Sequence, residues 1–238
     1  MKIDLNCDLG EEIGNDELLM PYITSANIAC GFHAGNENVM RATVKLAKQY
    51  NVNIGAHPSW DDRENFGRLE INISSQNAEE LVLHQINLLA EIAKSEGSVL
   101  THVKPHGASY NQAAKDVELA NAIVRAIMRF GRDEVSPPLL IGLAGSKLCK
   151  AGLAAGLRVA AEGFPDRGYR ADGSLIPRNQ KNAVIEDPHL VAINAVQLAR
   201  SGNVDTLCLH GDNPRAVENA KLVREVLIEN KINLEGFK

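Results

Sequence analysis

The strongest constraint on this chain is the spacing of seven short, largely apolar runs, at residues 2–7, 26–30, 52–56, 99–103, 139–144, 158–161 and 206–209. Their continuity, in place of a strict apolar/polar alternation, marks strands buried on both faces. Between them, apolar residues return every three or four positions, as in Val39, Thr43, Leu46, Ala47 and Tyr50, in Leu81, Val82, Gln85, Leu88, Leu89 and Ile92, and in Leu119, Ile123, Val124 and Ile127. That period places each set on one helical face. Helix starts are marked as well. Asn77 stands three residues before Glu80, the spacing of a capping box, and Asp116 can cap the helix after it. Asp187-Pro188 and Asn213-Pro214 each put a capping side chain before a proline at the first helical position.

Strands alternating with helices predict a parallel sheet or closed barrel. A length of 238 residues suits one α/β barrel, which typically takes about 250. We expect a single domain over residues 1–238. An arm is expected around 169–187, where Ala171-Asp172-Gly173-Ser174 reads as a turn between short runs.

Composition narrows the function. Hydrophobic residues make up 45% and aromatic residues 4%, so the core is aliphatic and offers no stacking platform for single-stranded nucleic acid. A net charge of -5 without a basic run gives little counterion-release drive toward DNA or RNA. No apolar stretch is long enough to span a bilayer. Charged residues at the N-terminus interrupt any signal-peptide pattern, and a cytoplasmic location is expected. Cys7, Cys30, Cys149 and Cys208 form no CxxC pair and read as small buried hydrophobes.

The chemistry gathers just past the strands. The first run leads into Asp8, Gly10, Glu11 and Glu12, and the second into Gly31-Phe32-His33-Ala34-Gly35. The third gives His57-Pro58-Ser59 and the fourth His102-Val103-Lys104-Pro105-His106-Gly107. The sixth precedes Glu162, Asp166 and Arg167, and the seventh His210-Gly211-Asp212-Asn213. One histidine beside a strand is more often structural than functional. Five of 7 at strand ends match the rim where barrel enzymes build their active sites. His84 and His189 fall in helical segments and receive no role.

Asp8, His57 and His106, joined by His33 or His102, could ligate a divalent metal that polarises a carbonyl and acidifies water. The same groups could serve without metal as acids, bases and oxyanion donors. Lys104 could hold a carboxylate or phosphate, or simply face solvent. Asp166-Arg167 could be a substrate contact or a surface ion pair. No P-loop and no GxGxxG are present.

Several motifs together resemble the LamB/YcsF family. They are Asn6-Cys7-Asp8-Leu9-Gly10-Glu11, the run from Ser25 to Gly35, Ile54-Gly55-Ala56-His57-Pro58-Ser59, and His102-Val103-Lys104-Pro105-His106-Gly107-Ala108. To these add Leu143-Ala144-Gly145-Ser146, Asp166-Arg167 with Tyr169, and Cys208-Leu209-His210-Gly211-Asp212-Asn213-Pro214. The likeness is collinear to about residue 230. It departs in a short loop after Asp8 (Glu11 to Asp16) and at Gly163-Phe164-Pro165, where an alanine usually precedes the Asp-Arg pair.

The resemblance implies a seven-stranded parallel β/α barrel of the glycoside hydrolase and deacetylase type. It also implies the A subunit of an ATP-dependent 5-oxoprolinase, acting with subunits B and C on 5-oxoproline to give glutamate. ATP is then used through the complex, and self-association is left open. In that setting Asp8 and His57 would activate water, and His106 and His210 would protonate the leaving nitrogen or a phosphate oxygen. His33, His102, Lys104, Asp166, Arg167 and Asp212 would contact substrate. Two other functions remain: an autonomous metal-dependent amidohydrolase or deacetylase, and a non-catalytic subunit that channels ligand or scaffolds its partners.

Overall fold

The computed structural model describes residues 1–132 and 136–237. Its strands are β1 (Lys2–Leu9), β2 (Ser25–Ala29), β3 (Asn53–His57), β4 (His102–Val103), β5 (Leu139–Leu143), β6 (Val159–Gly163) and β7 (Thr206–His210). All neighbouring pairs are parallel. Pairing of β1 with both β7 and β2 closes the sheet into a seven-stranded barrel. The expected β/α barrel is what forms.

Two details differ from the strand expectations. The fourth run shortens to His102–Val103, because Val99 lies 73% exposed ahead of it. A short β8 (Asn233–Leu234), absent from the apolar runs, pairs with Lys2 and Ile3.

Helices cover the outside: α1 (Asp16–Leu19), α2 (Glu37–Gln49), α3 (Ser75–Ser95), α4 (Gly107–Ala113), α5 (Val117–Phe130), α6 (Lys147–Ala154), α7 (Pro188–Ser201) and α8 (Ala216–Glu229). Their starts follow capping chemistry. Asp116 accepts from Glu118 N and Leu119 N, and Asp187 accepts from His189 N with Pro188 at the first turn.

Two expected starts are corrected. The α3 cap is Ser74, whose hydroxyl accepts from Asn77 N, because the helix begins earlier than Asn77. The helix expected at Pro214 begins at Ala216, and Asn213 Oδ1 instead accepts from Arg215 N in a turn. Among the described residues, no helix is long and apolar enough to cross a membrane. All four cysteines are free and buried.

The main core lies between barrel and helices. Ile3, Leu5, Cys7 and Leu9 of β1 face it together with Ile86, Leu89, Ile123 and Ile127. Because strand side chains alternate, Asp4, Asn6 and Asp8 face the opposite way, into the barrel, and all three are buried. The barrel interior is therefore polar, unlike the branched aliphatic layers that usually fill such barrels. Around residues 167–184 the chain makes two isolated antiparallel bridges, Arg167 with Val184 and Tyr169 with Leu175.

Candidate active site

Buried polar groups need partners, and inside this barrel they find one another. Asn6 Nδ2 donates to Glu162 Oε1 (3.0 Å) and Thr206 Oγ1 (2.6 Å). Asn27 Nδ2 donates to Asn6 Oδ1 (2.7 Å) and Asp8 Oδ1 (2.8 Å). Lys104, 2% exposed, crosses the barrel to donate to Asp8 Oδ1 at 2.8 Å and lies 3.1 Å from Glu162 Oε1. Burial opposes its charge, but Asp8 above all, with Cys208 and Glu162, holds the ammonium well above the ordinary lysine range. Likewise burial raises Asp8, while His57 and Lys104 outweigh it and keep the carboxylate ionised, well below its usual range.

Above this layer sits an imidazole cluster. His57 Nδ1 is 2.7 Å from Lys104 O, and His106 Nε2 is 2.9 Å from Phe66 O. A carbonyl only accepts, so these nitrogens carry the protons. The other nitrogens, His57 Nε2 and His106 Nδ1, face each other at 2.9 Å. Asp8 Oδ2 is 3.3 Å from His57 Nε2, and Glu11 Oε1 is 3.3 Å from His106 Nδ1 and 3.1 Å from His33 Nε2. Burial and the Asp8 charge push the Glu11 carboxyl well above its usual range. Burial, aided by His57, lowers His33, and burial with His33 and His57 lowers His106.

The loop after β3 completes the cluster. Phe66 sits in the left-handed region (φ 56) with its carbonyl turned to His106, a conformation costly for a bulky residue. At Gly67 (φ +65), a Cβ would come within 2.8 Å of His33 Cβ and 2.9 Å of His106 Cδ2. Glycine lets the loop press onto both rings.

The cluster forms one wall of a cavity of about 640 Å³. Asp8, His57, Lys104, His106, Arg167, His210 and Asp212 all line it. His102 does not. It is fully buried deeper in the barrel, between Asn27 Oδ1 (2.9 Å) and Thr101 Oγ1 (2.8 Å). His33 supports the wall through Glu11, and its ring stacks on His106 at 3.7 Å. Asp166 and Arg167 are not a surface ion pair. Asp166 accepts from His210 N and holds its Nδ1 at 3.0 Å, while Arg167 donates to Ala183 O and Ile176 O. Asp212 pairs with Arg68 and Arg178.

Several residues of this site lie outside the candidate set that the sequence suggests: Glu11, Arg68, Arg178, Asn6, Asn27 and Glu162. The signal for the inner ones is a two-residue polar period, seen in Asp4-x-Asn6-x-Asp8 and in Thr206-x-Cys208-x-His210.

The donor set fits a borderline divalent ion. One atom each from Glu11, His33, His57 and His106 lies within 4.8 Å of the others, and imidazole with carboxylate suits such metals. The His33 and His106 rings stack almost parallel, at 5°. Parallel stacked rings do not aim their nitrogens at a common point. The fit is therefore to Glu11, His57 and His106, with His33 orienting Glu11. Asp8, expected as a ligand beside His57 and His106, has Oδ1 taken by Lys104 and Asn27 and presents only Oδ2 to His57.

Fold and site together define a β/α barrel with an acid-imidazole centre at its mouth. Its backbone resembles that of a peptidoglycan N-acetylglucosamine deacetylase from Eubacterium rectale, with a TM-score of 0.55 at 13% identity, covering 99% of this chain and 88% of that one. At that identity the likeness concerns fold alone. The chain belongs to the LamB/YcsF family, which it matches over residues 3–238. It is 43% identical to the A subunit of 5-oxoprolinase from Pyrococcus abyssi, over 100% of this chain and 98% of that protein. The lactam utilization protein from Thermus thermophilus superposes with a TM-score of 0.92 at 38% identity, with 100% of both chains covered.

Proposed function

We propose that this chain is the A subunit of an ATP-dependent 5-oxoprolinase of the cytoplasm. With subunits B and C it would convert 5-oxo-L-proline, ATP and water into L-glutamate, ADP and phosphate. Support comes from the relatives that carry the 5-oxoprolinase name and from the one named for lactam utilization. It also comes from one geometric observation: His57 Nε2 and His106 Nδ1 meet the Asp8 and Glu11 carboxyl groups at the wall of a cavity.

A lactam is a stable amide, and opening it near neutrality needs an external drive. In this reading the partners bind ATP and activate the lactam oxygen by phosphorylation. The residues of this chain then act on the activated ring. His57, backed by Asp8, takes a proton from the attacking water. Breaking the ring C–N bond requires a proton on the leaving nitrogen, which His210 supplies or which passes from His57 through His106 Nδ1 at 2.9 Å. The acyl phosphate left behind is cleaved by a second water to glutamate and phosphate. Asp166 fixes His210 by its Nδ1, which leaves Nε2 for the cavity. Protein side chains around the mouth limit the water that reaches a labile intermediate.

A second reading is favoured by the Glu11, His57 and His106 donor set: an autonomous metal-dependent amidohydrolase. A bound divalent ion would polarise an amide carbonyl there. The two readings separate in one assay of 5-oxoproline consumption, run with and without ATP and subunits B and C. The oxoprolinase reading requires both ATP and partners. Consumption by this chain alone, abolished by chelator, would replace it with the amidohydrolase.

A further inference from the structure

We infer that Arg68, Arg167 and Arg178 form an oxyanion-binding subsite beside the imidazole cluster, one that takes a carboxylate or phosphoryl group of the ligand. Its link to the lactam substrate rests on the proposed function, but the charge argument does not.

All three guanidinium groups line the same cavity. Arg68 and Arg178 share one counter-charge, since Arg178 Nη1 is 2.9 Å from Asp212 Oδ2 and Arg68 Nη2 contacts the same oxygen. Two cations on one carboxylate leave a positive charge in excess. Arg167 adds a second. It is 7% exposed and bonds only neutral carbonyls, Ala183 O at 2.8 Å and Ile176 O at 2.7 Å. Among the described residues it has no carboxylate partner within ion-pair distance. Asp166 and Asp212 act on it only from beyond ion-pair distance, so its burial is incompletely compensated, and a ligand anion would relieve that cost.

Three other carboxylates of the cavity are engaged elsewhere, Glu11 among them through His33 and His106. Asp8 is matched by Lys104 at 2.8 Å, and Asp172 accepts from Ser174 N and its hydroxyl within its own turn. Lys104, in turn, is spent on Asp8 and Glu162, so it is a barrel clamp rather than an anion receptor.

Position supports the assignment. The Arg68 guanidinium lies over the Phe66 ring at 4.7 Å, and that ring meets His106 at 5.5 Å. Arg68 and His106 thus flank the same aromatic side chain. A small ring carrying a carboxylate, held by that group, would present its far side to His57 and His106. Planar guanidinium forks suit both carboxylate and phosphate.

Calorimetric titration of the full chain, without partner subunits, tests this with inorganic phosphate and with acetate at constant ionic strength. Saturable binding of at least one probe is expected, and the preferred probe tells phosphoryl from carboxylate. Arg178→Gln and Arg68→Gln should each weaken it about tenfold or more. Asp212→Asn should leave it equal or tighter, because it removes a competing negative charge. No saturable binding of either probe would overturn the subsite. So would arginine variants that bind normally, or Asp212→Asn weakening binding as much as Arg178→Gln, which would mark the trio as a structural clasp. Far-ultraviolet dichroism verifies that each variant is folded. No turnover is read, so failure of the lactam reaction would leave this result standing.

Discussion

His57 Nε2 and His106 Nδ1 face one another across 2.9 Å while the opposite nitrogen of each ring is engaged by a backbone carbonyl. Two neutral rings in those tautomers would bring lone pair against lone pair. A proton or a metal ion between them resolves the conflict, and either makes the pair a place where charge is exchanged.

Zinc should therefore bind. A thermal-shift titration with Zn²⁺ is expected to raise the unfolding temperature of the native chain, because a ligand that prefers the folded state stabilises it by mass action. His106→Gln and Glu11→Gln should lose most of the shift, and chelator should reverse it in the native protein. Equal shifts in all three proteins would mean that the ion binds elsewhere.

Lys104 should matter to stability more than a surface lysine does. Lys104→Met leaves Asp8 and Glu162 buried without the cation that touches both. Loss of one partner from a buried ion pair typically costs about 3–5 kcal/mol. Urea denaturation at neutral pH measures it, and a change below about 1 kcal/mol would contradict the clamp.

Asp4, at the other end of the barrel interior, gives a pH signature. Its carboxyl accepts hydroxyl hydrogen bonds from Thr24, Ser25 and Thr206, yet burial dominates and raises its pKa from 3.8 to about 6. The folded state then holds a proton that the unfolded state has released between those values. Stability from this group is full below the unfolded pKa and falls as pH rises through about 6. The difference amounts to roughly 3 kcal/mol. Asp4→Asn should lose that slope, so its stability relative to the native chain improves from pH 4 to pH 7, as read from denaturation midpoints at several pH values. A difference that stays constant across the range would contradict the raised pKa.

Gly55 tests how closely the interior is fitted. A Cβ there would lie 2.0 Å from His102 Nε2, against a ring held on both sides by Asn27 and Thr101. Gly55→Ala should destabilise by about 1–3 kcal/mol or more through overpacking, and Gly55→Ala with His102→Ala should recover part of it. Chemical denaturation of the single and double variants measures the coupling.

Much of this architecture is legible in the sequence, for identifiable reasons. The barrel follows from apolar runs alternating with helical periods, and Asp8, His57, His106 and His210 stand at or just past the C-terminal ends of strands, where backbone geometry carries them to one rim. The sequence is less explicit where a turn or a distant loop sets position. Glu11 reaches the imidazoles only after Gly10 bends the chain with φ 70. Arg68 and Arg178 come from separate loops that meet at Asp212, a contact no local spacing encodes. His102 and Lys104 look like rim residues because they share a two-residue period with His106. The short β4 instead keeps His102 inside the barrel and commits Lys104 to Asp8 and Glu162. Asn6 and Asn27 escape notice because an amide inside a barrel strand announces no chemistry of its own.

The most direct measurement is glutamate release from 5-oxoproline by native chain, His57→Gln and His106→Gln, each assembled with subunits B and C and supplied with ATP. Removal of a general acid or base typically lowers turnover by about 10²–10⁴-fold, and both variants are expected to fall in that range while still assembling. Native turnover in either assembled variant would contradict a reaction carried out at this barrel mouth.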